Sequence, residues 1–311
     1  MARYDLLVVG DANPDVLVSG APETPPIGQA ETLVESGTLA LGGSAAIVAH
    51  GAARLGLSTA LAAMVGRDAA GDFVLDTLST AGVNISACVR HPTLPTALTV
   101  CLNQPGGDRA ILTAPGCLPH FAPATLPQAR HVHAASYFLQ PALAPLLPSH
   151  FRAARAAGST TSLDTNDDPA RTWTLAPGLL AACDLVLPNE AEALALTGTT
   201  TVPEALTALT AAGPTPVIKC GRRGAATLHQ SELLEVRGTE VQPVDTVGAG
   251  DSFDAGFLAG WLDSGDLAKA MGLGCACGAL STRSPGGTAA QPDAAEASAF
   301  ALALEGGPGR Q

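Results

Sequence analysis

The sequence predicts an α/β fold of three layers, with helices on both faces of a mostly parallel central sheet. Three observations carry that expectation. Short apolar runs alternate along the chain with segments of helical periodicity. The first run, Leu6-Leu7-Val8-Val9, is continuously apolar and ends at Gly10, the pattern of a strand buried on both faces. The chain has 311 residues, 47% hydrophobic and only 14% charged, enough for one large domain with a sizeable core.

The elements follow in order. Ser44 is placed to N-cap a helix over Ala45 to Leu55, which Gly56 ends. Thr59 to Val65 reads as a strand and Ala69 to Ala81 as a helix stopped by Gly82. Further strands are expected at Val132 to Ala135, Thr160 to Leu163, Leu185 to Leu187 and Pro216 to Lys219. Helices are expected at Phe151 to Ala157, Ala191 to Leu196 and Pro203 to Leu209. Phe253, Phe257, Leu258, Trp261 and Leu262 fall on one face of a later helix. Two regions break the alternation. Asp15 to Leu41 carries Pro22, Pro25, Pro26 and Gly28 with short β-like pieces at Thr32 to Val34 and Thr38 to Leu41. Ala97 to Asn103 and Arg109 to Thr113 read as two strands joined by Pro105-Gly106-Gly107-Asp108, a hairpin signal.

Composition excludes several classes. A net charge of −12 argues against nucleic acid and anionic membranes as partners. The most apolar stretch, Leu39 to Gly66, is broken by His50 and Arg54 and is not expected to span a membrane. Asp5 interrupts the only N-terminal apolar run, so no secretory signal is expected. Seven cysteines at 88, 101, 117, 183, 220, 275 and 277, without metal-ligand spacing, suggest reduced thiols in the cytoplasm. His131 and His133 flank Val132 on a strand and share a face; satisfied polar residues are weighed there against a metal pair or a catalytic histidine.

Chemistry concentrates in Asp245-Thr246-Val247-Gly248-Ala249-Gly250-Asp251-Ser252-Phe253. Two glycines let the backbone approach an anion, and the helix that follows offers free N–H groups and a favourable dipole. Asp251 on its first turn suits a capping carboxylate, and equally a base aimed at a hydroxyl beside a phosphate. No Gly-x-Gly-x-x-Gly follows the first strand, which argues against a dinucleotide oxidoreductase.

This nonapeptide resembles the C-terminal signature of the ribokinase-like (PfkB) carbohydrate kinase family. Leu41-Gly42-Gly43-Ser44-Ala45-Ala46 is similar to that family's Gly-Gly substrate loop, and Asn189-Glu190-Ala191-Glu192 to its Asn-x-x-Glu motif. The three occur in the family's order, and the similarity runs from about Tyr4 to Ala290. The resemblance implies a ribokinase-like domain over residues 1–304, with segments 15–41 and 96–113 forming a small β-sheet lid over the sugar; the tail at 305–311 is Gly/Pro-rich and expected to be disordered. It implies phosphorylation of a sugar hydroxyl by ATP with Mg²⁺, and a homodimer through the lid.

Site residues carry over one by one. Asp251 matches the family's base, and the N–H groups of Gly248, Ala249 and Gly250 its anion hole for the γ-phosphate. Asn13, Asp15, Gly42, Gly43, Ser44 and Asp164 match the acceptor side, and Arg109 on the lid is added as a residue able to reach it, weighed against a solvated charge. Asn189, Lys219, Gly221, Arg222, Gly224 and Gly286 are expected at ATP, with Glu192 organising Mg²⁺ through water; Asn189 as a mere helix cap is the plainer reading. Asp245, with the Val247 carbonyl, matches a monovalent-cation site for K⁺. The chain departs from the family at Ile47, where an Asn is frequent, and at Asp168, where some acidic-sugar kinases carry Arg. Ribose itself and an anionic sugar are thereby disfavoured. A nucleoside kinase remains the alternative, although 15–41 and 96–113 contain no aromatic residue to stack on a base and Tyr137 and Phe138 are the nearest rings. A non-catalytic sugar- or nucleotide-binding relative is the rival from another class.

Overall fold

The computed structural model describes residues 4–105, 108–239 and 241–305. Gly106 and Gly107 of the expected hairpin turn, and 306–311 of the expected tail, lie outside the described residues. In chain order the elements are β1 (Tyr4–Val9), β2 (Asn13–Ser19), β3 (Ser36–Gly42), α1 (Ser44–Arg54), β4 (Thr59–Ala62), β5 (Met64–Val65), α2 (Ala69–Thr80) and β6 (Val89–Arg90). Then come β7 (Leu98–Asn103), β8 (Arg109–Ala114), β9 (Ala129–Ala134), α3 (Leu147–Ala156), β10 (Thr160–Leu163), α4 (Leu179–Ala182) and β11 (Leu185–Val186). The remainder is α5 (Glu190–Thr197), α6 (Val202–Ala211), β12 (Thr215–Lys219), β13 (Ala225–His229), β14 (Glu232–Val236), α7 (Ala249–Ser264), α8 (Leu267–Ser281) and α9 (Ala294–Glu305).

The main sheet runs β14-β13-β12-β11-β10-β9-β1-β4. β4, β1, β9, β10, β11 and β12 are parallel, whereas β12-β13-β14 turn antiparallel. Leu6 to Val9 are fully buried, and the sheet divides them between two cores: Leu6 and Val8 face α1 and α7, while Leu7 and Val9 face Phe121 and Phe151. That is why the run shows no polar alternation. A second sheet, β3-β2-β7-β8, stands apart from the first. Among the described residues no helix is long and apolar enough to cross a membrane.

Several expectations are corrected. The strand expected at Thr59 to Val65 splits at Ala63, its last two residues pairing instead with β6. Thr32 to Val34 is not a strand; β2, hidden in the sequence by Pro14, pairs with β3 from Asn13↔Gly42 to Ser19↔Ser36. Ser44 does not cap α1. Gly43 is the capping position, at φ 85, and the Asp11 carboxylate accepts from the N–H groups of Ser44 (3.2 Å) and Ala45 (2.9 Å). A carboxylate from the end of β1 thus satisfies donors at a helix start more than 30 residues further along the chain.

Candidate active site

The candidate residues converge where β1, β10 and β12 end and α1 and α7 begin, the edge at which open α/β sheets bind ligands. Gly248, at φ 70, turns the chain into α7, and a Cβ there would lie 2.5 Å from Gly287 Cα. Only glycine fits both constraints. The first N–H groups of α7 point out of the helix with its dipole behind them; that of Ala249 makes a long contact to the Thr246 carbonyl at 3.3 Å.

Asp251 sits on that first turn with 7% of its surface exposed. Burial, then repulsion from Asp164, pushes its carboxyl up to about 7, against attraction to Lys219. The nearby Ser44 side chain lowers it slightly. Asp251 therefore lies close to both loops that the sequence motifs marked. Beneath it, Lys219 Nζ lies 2.6 Å from Asp164 Oδ2 and 3.1 Å from Asp254 Oδ2, and all three groups are buried. Burial lowers the Lys219 pKa, but the two carboxylates more than offset it and hold the amine protonated. Burial raises the Asp254 carboxyl well above its ordinary value, whereas Asp164, against its own burial, is held below it by the Lys219 charge. A Cβ at Gly250 would be 3.6 Å from Lys219 Nζ, so the ammonium faces the start of the cradle.

On the lid side, Asn13 Nδ2 donates to Asp15 Oδ1 (3.0 Å) and Thr99 Oγ1 (3.3 Å), tying β2 to β7. Burial, then the charge of Asp11, pushes Asp15 up to about 7. A Cβ at Gly42 would collide with the Asp15 carboxylate, and one at Gly43 would lie 3.0 Å from Asn13 Oδ1. The Gly-Gly pair thus makes room for these two side chains.

Asn189 caps α5: its Oδ1 accepts from the Glu192 N–H (2.9 Å), while Glu192 accepts from the Asn189 N–H (2.9 Å) and from Asn189 Nδ2 (2.5 Å). Asn189 is thus a helix cap, and the cap fixes Glu192 in place, where each carboxylate oxygen retains acceptor capacity. Burial, then Asp164, pushes Glu192 up to about 7. Gly221 (φ 57) and Gly224 (φ 101) bracket a turn after β12, with Arg222 exposed. Gly286, at φ 83, donates its N–H to Asp245 Oδ2 (3.0 Å), and the Val247 N–H donates to Asp245 Oδ1 (3.0 Å).

Two acceptor-side expectations meet different surroundings. Asp164 is 1% exposed and engaged by Lys219, so its carboxylate is spoken for inside the protein. The Arg109 guanidinium lies 3.3 Å from Asp245 Oδ1. Asp168 is a loop organiser, accepting from the N–H groups of Ala170, Thr172 and Trp173. His131 bonds Thr160 (2.7 Å) and Ser162 (2.6 Å), and His133 bonds Ser162 (2.7 Å). Burial drives their pKa values down to about 3 and about 4, so both are neutral core residues. Sequence reasoning missed Asp11 and Asp254. Asp254, three residues after Asp251, shares its helix face, a spacing that is visible in the sequence.

Comparison with known proteins now decides the family. The model of the pfkB family carbohydrate kinases matches residues 4–294. The chain belongs to the PfkB family of carbohydrate kinases. This PfkB kinase is 31% identical over 309 residues to the ATP-dependent ribose-1-phosphate kinase of Halopiger xanaduensis, covering 95% of this chain and 97% of that protein. It is 28% identical over 307 residues to the ribokinase of Haemophilus influenzae, covering 96% and 98%. The solved Arabidopsis thaliana ribokinase complexed with ribose and ATP has the same fold, with a TM-score of 0.85 at 24% identity and coverage of 96% and 99%. The chain is accordingly an ATP-dependent phosphotransferase of the sugar-kinase type. The resident residues fit ATP and Mg²⁺: a glycine-rich cradle at a helix N-terminus suits phosphate, and hard carboxylate oxygens at Glu192 suit Mg²⁺.

Proposed function

We propose that this kinase transfers the γ-phosphoryl group of ATP in line to a sugar hydroxyl that Asp251 deprotonates. The observation that carries the proposal is the position of Asp251: buried, on the first turn after the glycine cradle, and close enough to Ser44 of the Gly-Gly loop to be influenced by it. A base between acceptor loop and phosphate cradle is what this reaction asks of a protein, the remainder being positioning and charge neutralisation. A pKa near 7 suits proton transfer at neutral pH.

The N–H groups of Gly248, Ala249 and Gly250 hold the transferring phosphoryl group, with the Lys219 ammonium behind them. Asn13 and Asp15, with the backbone at Gly42 and Gly43, bind acceptor hydroxyls; Asp164 acts there only through Lys219. Gly221, Arg222 and Gly224 border the nucleotide, as does Gly286. Mg²⁺ would be held near Asn189 and Glu192, where it would neutralise phosphate charge. The free thiols of all seven cysteines support a reducing compartment.

The sugar reading rests on buried hydroxyl-binding groups and a lid without aromatic residues. One observation favours the second reading, a ring-bearing acceptor such as a nucleoside: Phe138 and Trp173 form a half-buried edge-to-face pair, centroids 5.5 Å apart, in the loops after β9 and β10. The lid also leaves Leu39, Ile111 and Leu112 more than half exposed, with β8 as an open edge. Such edges are usually covered, and a second lid would cover this one in a homodimer.

A coupled ADP-release screen over pentoses, ketoses, hexoses and nucleosides tests the function. Turnover of one sugar well above every nucleoside is expected. Preferred turnover of adenosine or inosine would replace the sugar reading, and ADP release that no acceptor stimulates would replace the kinase reading.

A further inference from the structure

Arg109 opens β8, the edge strand of the lid, yet its guanidinium rests outside the lid. It lies 3.3 Å from Asp245 Oδ1, three residues before Gly248. Asp245 has only 9% of its side chain exposed, against 30% for Arg109, so the pair is better shielded from water than a surface salt bridge. The two Asp245 oxygens accept separately, one from the Val247 N–H and one from the Gly286 N–H, each at 3.0 Å. Gly286 in turn lies against the lid: a Cβ there would be 3.0 Å from Ala40 Cβ on β3 and 3.1 Å from Leu17 Cδ1 on β2. One carboxylate therefore ties together the lid, the segment after α8 and the segment that enters the cradle. The nearby Asp15 repels it. Without a cation, Asp245 would be a nearly buried charge held by two amide donors alone.

We infer that Arg109 is a positioning residue, a built-in cation that the lid delivers to Asp245 and that holds the cradle segment in its phosphate-binding shape. It takes the place of the K⁺ ion expected at Asp245 and Val247. The inference rests on the reading of Gly248–Gly250 as the phosphate cradle, and it goes further in predicting coupling. Seating the lid on an acceptor strengthens nucleotide binding, and nucleotide binding strengthens acceptor binding by the same factor.

Arg109→Ala in the full chain tests it, with Arg109→Gln as the variant that preserves length and Arg109→Lys as the one that preserves charge. Two readouts are compared in choline, Na⁺, K⁺ and dilute guanidinium salts at constant ionic strength: kcat with saturating sugar, and the Kd of a non-hydrolysable ATP analogue. The wild type is expected to respond equally to all four salts. Arg109→Ala should bind the analogue about 10-fold more weakly in choline, a coupling of ordinary size, and K⁺ or guanidinium should restore most of the loss. Arg109→Lys should lose little. A wild type stimulated by K⁺, an Arg109→Ala or Arg109→Gln variant with unchanged analogue affinity, or a loss that neither cation repairs would each overturn the inference. Because analogue binding is read without turnover, an error about the acceptor leaves this test intact.

Discussion

Lys219→Met isolates the charge that holds the floor of the site. The substitution keeps most of the aliphatic stem and removes an ammonium lying 2.6 Å from Asp164 and 3.1 Å from Asp254, whose side chains are 1% and 0% exposed. Removing one partner of a buried ion pair costs about 3–5 kcal/mol, because the charge left behind has no solvent. A second route to the magnitude sets a ceiling. Asp164 can escape by taking up a proton, and forcing a carboxyl of ordinary pKa ~3.9 to be neutral at pH 7 costs about 4 kcal/mol, at ~1.4 kcal/mol per pH unit. The two agree, so a loss of about 4 kcal/mol is expected near pH 7. The sign of the pH dependence follows. In the variant the folded-state pKa of Asp164 rises above its unfolded value, so stability is lost as pH rises and regained as it falls. Near pH 5 the ceiling drops to about 1.5 kcal/mol. Urea unfolding followed by circular dichroism and by fluorescence of the two tryptophans, Trp173 and Trp261, measures both values. A loss below about 1 kcal/mol near pH 7, or one that grows on acidification, would refute the claim that these carboxylates depend on Lys219.

Other expectations follow from the same site. Asp15, Glu192 and Asp251 are all pushed up to about 7, so the native state holds protons that the unfolded state releases; their contribution to wild-type stability should fall as pH rises from about 4 through 7, and unfolding midpoints across that range check it. The kcat/KM for the acceptor should rise with pH through about 7 as Asp251 ionises, and a flat profile from pH 5 to 9 would count against an Asp251 base. Asp15→Ala should raise KM for the sugar far more than for ATP, which initial-rate kinetics will separate. Gly42→Ala, whose Cβ would collide with the Asp15 carboxylate, should mimic that KM defect without removing a polar group.

The sequence disclosed the alternating layout because its signals are local. Continuous apolar strands and glycine-ended helices are set by neighbours a few residues apart, and the three motif loops fall where those elements end. What stayed hidden depends on distant partners. Ser44 has the chemistry of a cap, yet Asp11, 33 residues earlier, fills that role from the end of β1. Asp164 reads as a sugar ligand until β12 brings Lys219 against it. Arg109 could be placed on a hairpin strand, but its partner Asp245 lies 136 residues further on and no local signal joins the two. β2 was obscured by Pro14, because its ladder depends on β3 and β7 rather than on a run of its own.

The central claim is that Asp251 takes the proton. Asp251→Asn keeps the shape while removing the basic oxygen, and the N–H groups of the cradle stay in place. Single-turnover phosphoryl transfer at saturating ATP and acceptor, read beside the Kd for ATP, is the direct measurement. The account predicts a rate lower by about 10²–10⁴-fold, the scale of general-base loss, with ATP affinity changed less than about 3-fold. A variant that transfers phosphoryl within about 10-fold of the wild-type rate would contradict it, since the proton would then leave by another route.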